Sequence, residues 1–164
     1  MADAATVTMT ATIMPDEIVK ALDSKQITYT PANSSEGWYY KVTNLTNTST
    51  DLISGNFLHM STIGHDVGSA PAAISTSDIV KFLWIENRAV TDDGSTASSD
   101  SAFIVLDAGT AAYNATDAIE IQAGHFWCAT LNVTVADIHA IAAQTGGTSS
   151  AKLQCIVAAI IDDV

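Results

Sequence analysis

The side chains best equipped for chemistry crowd into "DDGSTASSD", Asp92 to Asp100, which holds three carboxylates, a glycine and four hydroxyls. Oxygens at this density could ligate calcium. A calcium loop, however, needs oxygen ligands at alternating positions and a closing bidentate glutamate. Positions 95–99 are Ser, Thr, Ala, Ser, Ser, and no glutamate follows before Glu120. Asp and Gly together also make a turn, because they tolerate reversed backbone and cap it locally. The flanking runs, Phe82–Ile85 and Phe103–Leu106, read as strands buried on both faces. The segment is expected to be the water-facing loop of a hairpin.

The other reactive residue types give no better site. His59, His65, His125 and His139 are never spaced i, i+2 or i, i+4, so one strand or helix cannot present two of them to a metal. His139, between Ile138 and Ala140, reads as an outward polar position on its strand. No G-x-S-x-G elbow, Cys-His signature or phosphate-cradling glycine loop occurs, and "TGGTSS" lacks the lysine and the strand–helix context. The pairs Asp92/Asp93 and Asp162/Asp163 are adjacent, so on a strand they point to opposite faces and cannot serve one substrate. Cys128 and Cys155 sit in apolar runs and read as buried free thiols. We expect no enzyme, no cofactor and no metal.

What remains is aromatic. Trp38, Tyr39 and Tyr40 follow a polar loop as "GWYY". Core packing is the ordinary role of such rings; a platform for sugars or an interface is the alternative.

The elements that would position these residues are strands. Thr6–Ile13, "TVTMTATI", alternates Val7, Met9, Ala11 and Ile13 with threonines, the period of a half-buried strand. Pro15 ends it, and Asp16–Ser24 carries the acidic start and apolar spacing of a short helix. Further strands are expected at Gln26–Thr30, Trp38–Leu45, Leu52–Met60, Ile79–Glu86, Ala102–Asp107, Ala118–Gln122, Phe126–Leu131, Ile138–Ala143 and Lys152–Ile161, with turn-forming clusters between them. The fold class is all-β: one antiparallel domain, a sandwich or barrel, over residues 26–164, preceded by a strand arm and short helix over residues 1–25.

Composition excludes several functions. Acids outnumber bases 18 to 6 in the 164 residues, a net charge of −12, so the chain repels nucleic-acid phosphates. The run "CIVAAII", Cys155–Ile161, is too short to cross a bilayer. The first residues carry neither a basic region nor an apolar core of a signal peptide, so a protein made and kept in a cytoplasm, or assembled there, is expected.

Four stretches, "ITYTPANSSEGWYYKVTNLT", "VKFLWIENRAVTDDGSTASSDSAFIVLDAG", "AIEIQAGHFWCATL" and "IHAIAAQTGGTSSAKLQCIVAAIIDDV", resemble small virion structural proteins of tailed bacteriophages, of the cyanophage type. They cover most of Ile27–Val164. The resemblance implies a capsid decoration, or cement, protein that is jelly-roll-like, trimeric and seated on the outer shell against the major capsid protein. It carries no catalytic residues over. A tail-associated adhesin binding host glycan is the alternative. The expected partner contacts are Val7, Met9 and Ile13 of the arm, with Trp38, Tyr39 and Tyr40. The arm's apolar face is expected to meet a neighbouring copy or the capsid protein, or else to pair within its own sheet.

Overall fold

The computed structural model describes residues 4–9, 12–13, 20–21, 25–32, 35–56, 73–107, 118–143 and 152–164. Twelve strands are present among them: β1 (Ala5–Met9), β2 (Thr12–Ile13), β3 (Lys20–Ala21), β4 (Lys25–Tyr29), β5 (Glu36–Thr46), β6 (Thr50–Asp51), β7 (Ile79–Asn87), β8 (Ser101–Leu106), β9 (Ile119–Ile121), β10 (Phe126–Thr134), β11 (Ile138–Ala143) and β12 (Lys152–Asp162).

Two four-stranded antiparallel sheets carry the fold, one ordered β10-β7-β12-β5 and the other β6-β11-β8-β9. The pairing is nested: β5 lies beside β12, β6 beside β11, β7 beside β10 and β8 beside β9. A long antiparallel ribbon rolled up on itself gives this order, which is the jelly roll. The expected all-β sandwich is therefore what the chain forms. Each strand contributes one set of alternate residues to the space between the sheets. Leu83 and Ile85 of β7 and Leu153, Cys155, Val157 and Ala159 of β12 meet Ile104 of β8, Ile121 of β9 and Ile138, Ala140 and Ala142 of β11. Each such leucine or isoleucine, fully removed from water, adds roughly 1.5–3 kcal/mol.

Three expectations need correction. First, β7 and β8 are not a hairpin. They lie in different sheets, β7 between β10 and β12, β8 between β11 and β9. The segment of residues 88–100 is long enough to bridge the ~10 Å between sheets, so the two apolar runs cover opposite walls of one core. Second, Lys20 and Ala21, at the centre of the expected helix Asp16–Ser24, pair as strand β3 with Thr12 and Ile13 of β2. The rest of that helix lies outside the described residues. A nine-residue helix has too few internal hydrogen bonds to repay its nucleation, and strand pairing wins. Third, of the expected strand Leu52–Met60, residues 52–55 bend, and residues 57–60 lie outside the described set. Leu52 and Ile53 are still buried, because they cap the core from a turn rather than line it from a strand.

A buried asparagine joins the two sheets. Asn87, fully enclosed at the end of β7, donates from Nδ2 to the Asp100 carbonyl (2.9 Å) and to the Ile121 carbonyl (3.1 Å), both belonging to the second sheet's side. Its Oδ1 accepts the Ala89 amide at 3.0 Å, which holds Ala89 at a φ of 57°. That left-handed angle costs an alanine on the order of 1 kcal/mol, and it turns the chain out of the first sheet.

Asn87→Leu strands two buried carbonyls at once. Loss of roughly 2–4 kcal/mol in urea unfolding is expected from the desolvation cost of unpaired buried polar groups. Lys152→Ala, which removes only the exposed 3.1 Å pair with Asp92, should cost less than about 1 kcal/mol. Equal losses for the two variants would remove Asn87 as the joint between sheets.

Candidate docking face

The acidic loop closes on itself. Asp93 accepts hydrogen bonds from the Ser95 amide (2.7 Å), the Thr96 amide (2.8 Å), the Thr91 hydroxyl (3.0 Å) and the Thr96 hydroxyl (2.6 Å). The Thr96 and Ser95 donors hold its carboxyl well below the usual carboxylate range. Asp92 pairs with Lys152 Nζ, and Asp100 accepts the Lys152 amide at 3.0 Å. Asp93 thus closes its own loop, while Asp92 and Asp100 both hold Lys152. His139 pairs with Asp51 at 3.2 Å, His125 is exposed, and His59 and His65 lie outside the described residues. Among the described residues no three His, Cys, Asp or Glu side chains come together as metal ligands. Both thiols are free, and burial pushes Cys155 up to about 12, away from nucleophile chemistry.

The distinctive surface is the outer face of the first sheet. Register places its outward side chains in rows across four strands. Trp38, Ile160, Phe82 and Thr130 form one row. Tyr40, Ala158, Trp84 and Cys128 form the second, and Val42, Ile156, Glu86 and Phe126 the third. Ordinary sandwich strands alternate apolar-in and polar-out. Here β12, "KLQCIVAAIID", is apolar on both faces, and its neighbours follow.

The N-terminal ribbon covers part of this face. β1 pairs with β4, Ala5 opposite Tyr29 and Val7 opposite Ile27, so the arm's strand partner lies within its own chain. The expected boundary at residues 25/26 falls at the start of β4. Ala5 packs with Phe82 and Ile160, and Val7, Ile27, Tyr29, Trp38 and Trp84 close around them. Thr6 and Thr8 face water. A buried carboxylate fastens the ribbon: Glu36, 5% exposed, accepts the Tyr29 hydroxyl at 2.9 Å and the Ala32 amide at 2.8 Å.

Beyond the ribbon the face carries exposed apolar side chains. Tyr40 is 52% exposed, Val42 42% and Phe126 45%. Phe126 stacks on Trp84 with centroids 4.4 Å apart and planes 10° apart. A groove of about 330 Å³ runs between Ala4 with residues 5–7 of β1 and a floor of Trp38, Tyr40, Phe82, Trp84, Ile156 and Ala158. The indole N–H of Trp38 is buried there without a hydrogen-bond partner among the described residues.

Of the six residues expected to meet a partner, Trp38 and Tyr40 share this outer face, and Val7 borders it from the ribbon. Tyr39 points the opposite way, 2% exposed in the intersheet core, with its hydroxyl 3.3 Å from the Ser54 carbonyl. Consecutive strand residues alternate faces, so "WYY" could not act as one aromatic group. Met9 and Ile13 are placed by backbone pairing with Lys25 and Lys20. Sequence reading missed Trp84, Phe126, Val42, Ile156 and Glu86 as surface residues. The signal available for them was a strand apolar at both parities.

No protein-family model matches the chain, and no curated protein matches it. Among solved structures, the coat protein of Tobacco streak virus is similar at 12% identity with a TM-score of 0.39, over 81% of this chain and 88% of that one.

The ribbon's fastening has a pH signature. Burial, with the hydrogen bond to Glu36 and its negative charge, pushes the Tyr29 phenol from 10.0 up to about 12. The folded state holds that proton more tightly than the unfolded chain. The resulting stabilisation is complete below pH 10 and is lost as pH rises toward 12. The stability advantage of wild type over Tyr29→Phe should be constant below pH 10 and shrink as pH rises toward 12, measured by urea unfolding at stepped pH. A difference independent of pH would refute the Tyr29–Glu36 fastening.

Proposed function

We propose that the protein is a non-enzymatic structural component of a virion, a decoration or cement protein that docks on the outer capsid surface of a tailed bacteriophage. One observation carries the reading: a sandwich whose outer face, only partly covered by the ribbon among the described residues, has second and third rows that are aliphatic and aromatic apart from Glu86 and Cys128. Monomeric soluble domains rarely expose contiguous apolar surface of this kind without a partner for it. The sequence stretches that resemble phage virion proteins supply the identity of the assembly, and the major capsid protein is the proposed partner. Clamping of adjacent capsid subunits calls for several copies of the same face, which favours a homotrimer. Each copy is made in the host cytoplasm and added to the shell.

The groove over Trp38, Tyr40 and Trp84 favours a second reading, an adhesin module that stacks a host glycan on exposed rings. Loss of glycan-array binding in Tyr40→Ala, with the fold retained, would support it over the cement role.

Particles assembled without this protein should lose infectivity at a lower temperature than complete particles, and labelled antibody should decorate the whole shell of complete ones. Equal heat resistance together with label confined to the tail would exclude the cement role.

A further inference from the structure

We propose that the free edge of β1 and the groove beside it receive one extended polypeptide segment of a basic partner protein, apolar at alternate positions and bearing a Lys or Arg that reaches Glu86. This rests on the docking reading above and gives the chemistry of what docks. Ala4 and the first three residues of β1, Ala5, Thr6 and Val7, line the groove consecutively. Successive strand side chains point to opposite faces, so a groove touching all four runs along the strand's edge. Among the described strands β1 pairs with β4 alone, so its second edge has no strand partner among the described residues. An added strand uses an edge's amides and carbonyls for affinity and takes its specificity from alternate side chains.

The floor has the matching period. Trp38 and Tyr40 lie two residues apart on β5, Phe82 and Trp84 on β7, and Ile156 and Ala158 on β12. Two residues of strand advance ~6.6 Å, the spacing between the same-side residues of an extended guest. At the open end stands Glu86, directly opposite Ile156 and Phe126. It is half-buried, and no described cation pairs with it. A carboxylate on an apolar face calls for a positive charge from outside.

A second copy of this chain is a poor source of that charge. Each copy carries −12, and the four cations whose side chains are described are already engaged. Lys41 is bonded to Ser54, Lys81 to Asp162 and Asn132, Arg88 to Gln154, and Lys152 to Asp92. The charge points to a different, basic protein.

The test uses the whole chain and a fluorescein-labelled nonapeptide of alternating Val and Lys, read by anisotropy. Controls are the same peptide with Glu for Lys, a block-ordered peptide of the same composition, and two versions N-methylated along one edge or the other. The alternating Lys peptide should bind, and the Glu and block-ordered peptides should bind at least tenfold more weakly. One N-methylated version should lose binding while the other keeps it. Glu86→Gln should weaken binding about fivefold, as for loss of one partly exposed ion pair, and Tyr40→Ala about tenfold, as for loss of an aromatic anchor. Circular dichroism should be unchanged in both variants. Equal binding of Lys and Glu peptides, indifference to both methylation patterns, or unchanged affinity in Glu86→Gln would each overturn the proposal. So would self-association that the peptide displaces, which would assign the edge to a second copy. Peptide binding by a protein absent from capsids would sink the cement role alone, and capsid decoration without peptide binding would sink this inference alone.

Discussion

The molecule turns on strand β12. It is hydrogen-bonded along most of its length on both sides, to β5 and to β7, and it is apolar at both parities. A strand has two faces and a sandwich has one interior. If both faces of its central strand are apolar, one of them must look out. The inward residues Leu153, Cys155, Val157 and Ala159 build the core, and the outward residues Ile156, Ala158 and Ile160 oblige the molecule to find a second cover. The ribbon of β1 and β4 supplies part of it, over Ile160 and Phe82. The remainder stays open to whatever the protein meets.

Polar groups act as fasteners around this arrangement. Asn87 ties the sheets together from within the core, Glu36 ties the ribbon to the first sheet, and Asp93 closes the crossover loop on its own amides. In the acidic loop Asp93 is engaged by the Ser95 and Thr96 amides, Asp100 by the Lys152 amide and Asp92 by the Lys152 side chain. Buried polar groups must find partners, and the nearest partners in these turns are the chain's own amides. That is why the acidic stretch between β7 and β8 holds a crossover in shape and leaves the recognition to the apolar face.

A fold of this kind does not by itself name a function, because the same two-sheet wrap serves capsid, lectin and enzyme domains. Function lives in the site. The proposed recognition of polypeptide rests on the extended apolar surface, on an edge of β1 without a strand partner among the described residues and on half-buried Glu86.

Local pattern alone determined much of the chain. Period-two alternation and turn clusters located β5, β7, β8, β11 and β12 nearly to the residue, and the charge balance argued against nucleic acid. The Thr-out, apolar-in reading of the arm holds for Ala5 to Thr8. Only the tertiary structure decided which strands pair. The runs either side of the acidic loop looked like a hairpin because burial on both faces is the same whether two strands are neighbours or opposite walls. The split of Trp38 and Tyr40 from Tyr39 was implicit in the period, but which parity faces outward depends on the partner sheet. Likewise Trp84, Ile156 and Phe126 read as core residues, since apolarity records a need for cover without saying what provides it. Strand pairing is set by contacts between residues far apart in sequence, and a local pattern contains no term for them.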